Sequence, residues 1–460
     1  MPVAAGTADT LVSHTGVPLT RPTTFRFTLD VNVEQHQRLL AHAGASRLTF
    51  NHHLERVKAN LEQRAAERSY GIPEADLTPA LSWSKVSFIN EMNAWKDGRA
   101  ADARVEVLDD GTVVRGLPWR AEVSTDVFET ASVHAAQALK NWSDSKKGTR
   151  AGKAAGFPRF KSRHRTTPAF RLRAKYKEGA IPSVRPTAPR TVRFPKLGEL
   201  RVRENTRQLR KLYESGRFHA YAAAFRFERG RWIVVVTGVA APLHPQRRTP
   251  TAGGRTQARV GVDLGVKTLA VAADEHGTQL RVWKGVKALQ QAQARLKLAN
   301  QAYARTKRGS NGRRKAARRL GRIHTRVAAI RRALLHDISS ELAKSSTVLV
   351  IEDLHAAGML RNRRLARVIS DAAFGELRRQ LEYKAAWYGT ELIIADRWYP
   401  SSKTCSGCGT VKADLTLSER TYACAGCGLV LDRDLNAAVN LARYRPGEDT
   451  KHSPPHPAAA

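Results

Sequence analysis

Hydrophobic and polar positions divide the chain into a helical part, a β-rich part and a further mixed part. Residues 1–22 are small, polar and aperiodic, which predicts a disordered tail. Residues 24–29 alternate apolar and polar side chains, as a half-buried strand does. Three later segments have apolar residues at roughly helical spacing: 33–68, 80–97 and 121–142. We therefore expect a first strand within 23–31 and a helical lobe over 32–145.

A change in composition after the helical lobe predicts a β-rich part over 146–240. Its first residues, 146–168, are basic and contain Gly and Pro. Four β-favouring runs then follow: 191–194, 200–203, 218–227 and 232–237. The last two flank residues 228–231 and predict a hairpin.

The pattern changes again after a Pro-, Gly- and Arg-rich stretch at 241–258, which predicts a linker. Strand patterns lie at 260–264, 268–272, 280–283, 348–351 and 391–395, and helical patterns lie at about 284–345 and 370–388. Three strands, a helix, a strand and further αβ structure is the order of an RNase H-like fold. Residues 446–460 are rich in Pro and Ala and predict a second disordered tail.

Three acidic residues are candidates for chemistry in this last part. Asp263 lies within an apolar strand pattern, two residues before a glycine, and burying an isolated charge there is costly without a cation or a donor. A turn Asp opening a hairpin explains it equally well. Glu352 ends a buried strand, where open α/β sheets place ligands, although Asp353 beside it could simply cap a helix. Asp434 opens a short helix, where acids also serve as N-terminal caps.

Taken together, the three acids have the sequence order of an RNase H-like carboxylate triad. Converging carboxylates without Cys or His select Mg²⁺ or Mn²⁺. Two such ions, about 3.5 to 4 Å apart, would activate a water for attack on a phosphodiester and stabilise the leaving oxygen. The implied reaction is metal-dependent hydrolysis of nucleic acid, which requires no side-chain general base.

The four cysteines of the chain form the strongest local motif. They are Cys405, Cys408, Cys424 and Cys427, with the spacing C-x2-C-x15-C-x2-C. This spacing predicts one closed, structural Zn²⁺ site in a ribbon over 403–430. The ribbon would be inserted between the second and third acids, and its zinc would contribute folding free energy.

The charge balance predicts a polyanionic partner. Lys and Arg number 78 against 41 Asp and Glu, so the net charge is +37 and the pI about 10.8. Two tracts contain no acid: 146–177 with twelve basic residues and 295–332 with fourteen. Solvated helix faces normally alternate sign, so unmixed tracts favour phosphate contact. Aromatic residues within the first tract either stack on unpaired bases or belong to the core.

The chain shows neither a membrane-spanning run nor a signal peptide pattern, and we expect a cytoplasmic protein. A reducing compartment also favours metal binding over disulfides for the four cysteines.

Several motifs together resemble the TnpB (OrfB) proteins of bacterial insertion sequences, which are relatives of the compact type V CRISPR effectors. They are GVDLGVKTLAV, VLVIEDL, SDAAFGELRRQLEYKAAWYGTELIIADRWYPSSKTCSGCG, the second CxxCG and DRDLNAAVNLAR. The resemblance covers roughly 260–444. Upstream, residues 157–163 and the β-rich part look similar to the family's wedge domain, and the helical lobe takes the recognition position.

The resemblance implies a multidomain α+β protein. It would contain a helical recognition lobe (32–145) and a β-barrel-like wedge domain (23–31 and 146–240). A RuvC-like α/β nuclease domain (259–402 and 431–445) with an inserted zinc ribbon would follow.

The implied activity is RNA-guided cleavage of double-stranded DNA next to a short flanking motif. Asp263, Glu352 and Asp434 match the family's catalytic acids and would bind Mg²⁺, whereas Asn436 would support the helix or the site. A guide RNA from the transposon end and target DNA are the implied partners of a monomer, with sequence read by base pairing. A nuclease-dead repressor, a CRISPR effector and a DNA-joining transposase are the alternatives.

Overall fold

The computed structural model describes residues 11, 16–109, 111–176, 182–242, 257–362, 365–416 and 418–447. The chain forms two compact units, one ending at Pro242 and the other starting at Leu243. Predictions for most of the two tails and of the linker, at residues 1–10, 12–15, 243–256 and 448–460, lie outside the described residues.

The first unit combines three long helices with an antiparallel sheet. Its elements are β1 (Arg21–Asp30), α1 (Val33–Ser69), α2 (Lys85–Lys96), β2 (Val105–Val107), β3 (Val113–Arg115), α3 (Thr125–Lys146), β4 (Ala169–Arg173), β5 (Arg185–Ala188), β6 (Thr191–Phe194), β7 (Gly198–Val202), α4 (Arg207–Glu214), β8 (Phe218–Glu228) and β9 (Arg231–Ala240). Short 3-10 turns lie at Glu74–Asp76 and Pro118–Glu122. A capping box between Asn32 and Gln35 starts α1 by satisfying two otherwise unpaired backbone N–H groups.

Seven strands of this unit form one sheet in the order β4-β8-β9-β1-β7-β6-β5, and every pair is antiparallel. One face packs on the helices through a core that includes Leu39, Phe128, Phe170, Phe225 and Trp232. Among the described residues, β4 and β5 are the edges of the sheet. The barrel-like wedge domain therefore stays a prediction.

The structure corrects the sequence-based boundaries of this unit. The tail predicted over 1–22 was wrong at its end: β1 begins at Arg21, and Leu19 is buried against Val239 and Ala241. The helix expected over 33–68 and the hairpin of β8 and β9 are present. The hairpin of β2 and β3, the strands β4 and β5, and α4 were not predicted; β2 and β3 span only three residues each, too few for a period to appear.

The second unit is a mixed α/β structure, as expected. Its elements are β10 (Gln257–Asp263), β11 (Ala270–Asp274), β12 (Gln279–Trp283), α5 (Ala288–Ala304), α6 (Asn311–Ser345), β13 (Ser346–Glu352), α7 (Ala356–Met359), α8 (Ala366–Ala372), α9 (Phe374–Tyr388), β14 (Glu391–Ala395), β15 (Thr421–Ala423), β16 (Val430–Asp432) and α10 (Arg433–Arg443). Two regions expected as single helices are each divided. A turn with Gly309 at φ +83° separates α5 from α6, and Ala373 at φ +54° separates α8 from α9.

A five-stranded sheet with the order β12-β11-β10-β13-β14 organises this unit. The first three strands form an antiparallel meander, whereas β10, β13 and β14 are parallel. Parallel neighbours end at the same edge of a sheet, and this edge is where open α/β sheets bind ligands. The core includes Val262, Leu349, Ile351, Leu377 and Leu381 on the sheet and on α9.

Candidate active site

Two of the three candidate acids end adjacent parallel strands. Asp263 is the last residue of β10 and Glu352 the last residue of β13. Val262 pairs with Ile351 in the register of the two strands, so the acids that follow them lie side by side. The buried, β-branched strands thus place two carboxyl groups together at the ligand-binding edge of the sheet.

Gly261 allows the third acid to approach. A Cβ at this position would lie 2.1 Å from the Ala438 carbonyl oxygen and 2.2 Å from the Ala442 nitrogen, so only glycine lets α10 lie directly on β10. The first turn of α10 carries Asp434, whose Oδ2 lies 3.9 Å from the position that a Cβ of Gly265 would occupy. The helix therefore brings Asp434 to the loop that follows Asp263.

The electrostatics of the three acids reflect this proximity. Burial and the neighbouring Glu352 and Asp434 raise the pKa of Asp263 well above its ordinary value. Burial and the charge of Asp434 likewise raise the pKa of Glu352, although its hydrogen bond from Ser401 opposes the shift. Burial and Asp432 raise the pKa of Asp434. Three mutually repelling carboxyl groups favour a divalent cation between them.

The acids nearest in sequence to Glu352 and Asp434, which are Asp353 and Asp432, stabilise the fold. Asp353 accepts hydrogen bonds from Arg378 and Arg397, rather than capping a helix. Asp432 is the N-cap of α10, since its Oδ1 accepts from the Asp434 nitrogen at 2.9 Å and the Leu435 nitrogen at 3.1 Å. Asp353 and Asp432 thus have structural roles, and Glu352 and Asp434 remain the candidate site residues.

The four cysteine thiols form a compact cluster. All four Sγ atoms lie within 4.8 Å of one another, the only such group of potential ligands among the described residues, so the carboxyl groups are more widely spaced. Cys405 and Cys427 have their Sγ atoms 3.6 Å apart, as do Cys408 and Cys424. A tetrahedral Zn²⁺ with Zn–S bonds of about 2.3 Å requires S–S separations of about 3.8 Å. The donor set therefore fits a closed zinc site.

Two buried amides join the thiol cluster to α10. Asn436 Oδ1 accepts from the Ser406 nitrogen at 2.9 Å, and its Nδ2 donates to the Thr404 carbonyl at 2.7 Å. Asn440, one turn later, donates to the Ser401 and Thr404 carbonyls at 2.7 Å each. The ribbon thus supports the helix that carries Asp434. Asn436 was anticipated in this supporting role.

Sequence reasoning missed Asn440 and Ser401. Asn440 stands four residues after Asn436 in the apolar stretch of α10 between Asp434 and Arg443, a spacing that signals a pair of satisfied buried amides. Ser401 donates from Oγ to Glu352 Oε1 at 2.6 Å, and nothing in the local pattern indicates this contact.

An exposed line of arginines follows α6. Arg314, Arg318, Arg322 and Arg326 recur every four residues, so they share one helix face and are spaced by about 6 Å along the axis. All four side chains are exposed, and none makes an ion pair with another described residue. Like charges at this spacing repel, so the arginine line favours an external polyanion.

The aromatic residues of the first basic tract, 146–177, include both core and exposed side chains. Phe170 belongs to the core on the sheet, and Phe157 packs against a second buried cluster. Phe160, by contrast, is 47% exposed. Lys161 and Arg171 of this tract line a cavity of about 480 Å³ together with Arg26, Arg226 and His134.

Family models match most of the second unit. The model described as a probable transposase, OrfB_IS605, matches residues 243–363, and the Cas12f1-like TNB domain matches residues 374–441. A protein of Mycobacterium tuberculosis (strain H37Rv) is 35% identical over 426 residues, which cover 91% of this chain and 86% of that protein. The chain belongs to the TnpB (OrfB) family. The resemblance seen in the motifs is thereby confirmed.

Relatives of this TnpB-family chain have informative names. The Mycobacterium tuberculosis protein and the InsQ protein of Escherichia coli K12 are each provisionally named as an RNA-guided DNA endonuclease. InsQ is 27% identical, with 91% of this chain and 90% of InsQ covered.

Among solved structures, CasPhi-2 (Cas12j) bound to crRNA aligns at a TM-score of 0.43 and 10% identity, covering 93% of this chain and 98% of that one. Within the described part of the chain, no helix is both long and apolar enough to cross a membrane.

Proposed function

We propose that this chain is an RNA-guided DNA endonuclease that hydrolyses phosphodiesters at one RuvC-like site formed by Asp263, Glu352 and Asp434. The observation that carries the proposal is the convergence of these acids, from β10, β13 and α10, at the edge of the sheet where ligands bind. The names of the relatives support the guided activity.

The carboxyl groups fit Mg²⁺ or Mn²⁺ because they offer hard oxygen ligands and repel one another in the free protein. When bound, the cation would lower the pKa of a coordinated water and stabilise charge on the leaving oxygen. Ser401 holds one oxygen of Glu352 by its hydrogen bond, which fixes the orientation of the carboxylate and leaves its other oxygen for the ion. The charges of Glu352 and Asp434 both act on Asp263, so all three acids are close enough to share one ion.

The proposed partners are a guide RNA from the transposon end and a double-stranded DNA target beside a short flanking motif. Base pairing with the guide would select the target, and the protein would hold nucleic acid through its backbone. The net charge of +37 and the arginine line of α6 suit this role.

The proposal is tested by isolating the protein with its bound RNA, sequencing that RNA and assembling DNA that matches it. We expect cleavage of matching double-stranded DNA in Mg²⁺ or Mn²⁺, restricted to a subset of flanking sequences. The control is the same DNA with ten consecutive mismatches to the guide RNA beside the flanking motif. This DNA should stay intact. Equal cleavage of both DNAs, or a protein that binds no RNA, would contradict the proposal.

Neutralising the arginine line should weaken RNA binding in a salt-dependent manner. In the variant Arg314→Gln, Arg318→Gln, Arg322→Gln and Arg326→Gln, we expect the slope of log K against log salt to fall by about 3, because up to four phosphate contacts are lost. Gln retains good helix propensity, so α6 should persist. Filter binding of the guide RNA between about 50 and 200 mM salt measures the slope.

A control variant removes the same charge from four basic residues that already have a carboxylate partner: Lys58, Arg68, Lys140 and Arg210. A neighbouring carboxylate already balances each of these positive charges. Replacing the four residues by Gln should therefore change the slope of log K against log salt by about 1 or less. Equal slopes in the two variants would show that only total charge matters and would exclude a specific role for the arginine line.

A further inference from the structure

The loop between β10 and β11 lies at the ligand-binding edge of the second sheet. Asp263 is the last residue of β10, and its antiparallel partner lies in β11. The Gly265 nitrogen donates to the Leu269 carbonyl at 3.3 Å and closes a loop over residues 266–268. This loop begins where β10 ends, at the edge where the acids lie. Its middle residue is Lys267.

Gly265 brings the loop close to the third acid. The position that a Cβ of Gly265 would occupy lies 3.9 Å from Asp434 Oδ2 and 2.8 Å from the Thr268 carbonyl oxygen. Lys267 is two residues from Gly265, and two extended residues span at most about 7 Å. Burial raises the pKa of Asp434, and the positive charge of Lys267 opposes this shift. The loop therefore holds an ammonium group near the acids.

The ammonium group of Lys267 is near the acids without being paired to one. Its side chain is exposed and makes no ion pair or hydrogen bond with any residue that the structure describes. By contrast, the nearby guanidinium of Arg433 donates to the Thr416 carbonyl at 2.8 Å and to the Glu419 carbonyl at 3.4 Å. The separation of Lys267 from the acids leaves their oxygens available for a metal ion and the ammonium available for a second anion.

We propose that Lys267 binds, through Nζ, a non-bridging oxygen of the phosphate next to the scissile phosphodiester. The inference rests on the proposed function, which places the scissile group at the three acids. Every nucleotide of the strand carries a negative charge, so the neighbouring phosphate must also be held beside these carboxyl groups. A lysine ammonium is a compact charge on a flexible stem, and a phosphate contact carries no sequence information. The same contact can therefore position any target strand that the guide selects.

The test compares wild type with Lys267→Met and Lys267→Arg, each as the full chain with its guide RNA. Met retains a long side chain without the charge, whereas Arg retains the charge. Single-turnover cleavage at saturating DNA and Mg²⁺ should slow roughly 10- to 100-fold in Lys267→Met, as expected for loss of one hydrogen bond to a charged group. Lys267→Arg should recover most of that rate, because a guanidinium also binds phosphate. The matched control is Lys297→Met, which removes an exposed lysine of α5 and should cleave at a rate close to wild type.

Single methylphosphonate linkages locate the contact, because each replaces one charged phosphate oxygen by a methyl group. Target DNAs carry one such linkage at each of the three phosphates on either side of the scissile one. In wild type, we expect one position next to the cut at which the linkage slows cleavage about as much as Lys267→Met does. At that position Lys267→Met should not be slowed further, because both changes remove the same contact. At the other positions, the linkage should affect both proteins equally.

Several outcomes would overturn the phosphate contact while guided cleavage stands. They are equal slowing of wild type and Lys267→Met at every linkage, wild-type cleavage by Lys267→Met, or a wild type without a sensitive linkage. A loss in Lys267→Met that disappears when Mg²⁺ is raised further would also overturn it, since the lysine would then act on metal binding by the acids. Guide-dependent DNA binding and the melting temperature should be unchanged, because base pairing dominates binding and the side chain is exposed. A wild-type protein without guided cleavage would instead refute the proposed function itself.

Discussion

Asp263→Ala should abolish DNA cleavage, with a rate at least about 10³-fold below wild type, while guide-dependent DNA binding stays within about twofold. Asp263 is close to both other acids, since burial and the charges of Glu352 and Asp434 raise its pKa. Removing it deletes a ligand for the cation, whose stabilisation of developing charge amounts to several kcal/mol, and each 1.36 kcal/mol is a factor of ten in rate. Binding depends on base pairing and on basic surfaces, which this change leaves intact.

The sharpest control is a pair of conservative changes two residues apart on α10. Asp434→Asn should lose cleavage to a similar extent, since an amide is a poor ligand for a divalent cation. Asp432→Asn should retain cleavage within about threefold, because Asn caps a helix as well as Asp does. Single-turnover rates and gel-shift binding, measured on the same preparations, give the comparison. Cleavage by Asp263→Ala near the wild-type rate, or loss in Asp432→Asn alone, would contradict the assignment of the acids.

Loss of the zinc site should have the second largest effect. Cys424→Ser should reduce bound zinc from one ion per chain to none and unfold the ribbon, whose metal-binding free energy is on the order of 10 kcal/mol. Asn436 and Asn440 would then lose backbone partners at residues 401–406, at a cost of about 1 to 3 kcal/mol for each unsatisfied buried amide. We expect the turn of α10 that carries Asp434 to loosen and cleavage to fall about 100-fold or more.

Metal analysis, hydrogen exchange of α10 and cleavage rates measure these effects together. Cys424→His is the matched variant, because imidazole is also a zinc ligand. This variant should keep its zinc and more of the cleavage activity than Cys424→Ser. Chelation of the wild type should reproduce the loss, and added zinc should restore the wild type but not Cys424→Ser. Full activity in zinc-free protein would rule out the structural role of the ribbon.

Local patterns predicted several elements closely and missed the three-residue strands. The helix expected over 33–68 is observed as Val33–Ser69, and the strand expected over 391–395 has those bounds. By contrast, the three-residue strands β2 and β3 are formed by pairing with each other, and their sequences carry too few positions for a period to appear. The helix division at Ala373 depends on a left-handed backbone at a non-glycine residue, which propensity argues against.

The residues of the candidate site could also be predicted only in part from the sequence. Sequence order selected Asp263, Glu352 and Asp434, and the metal-binding spacing selected all four cysteines. It also offered helix capping as a role for Asp353. The structure instead pairs Asp353 with Arg378 and Arg397, and Asp432 caps α10.

The sequence by itself determined the periodicity of the strands and long helices, the cysteine spacing, the excess positive charge and the family. These properties are local or additive, so they can be seen without knowing any long-range contact. Only the tertiary structure decided that the acids converge, because their proximity depends on the parallel register of β10 with β13 and on the close approach of α10 at Gly261. It also decided that the loop with Ser401 lies beside Glu352, since packing between distant segments fixes that contact.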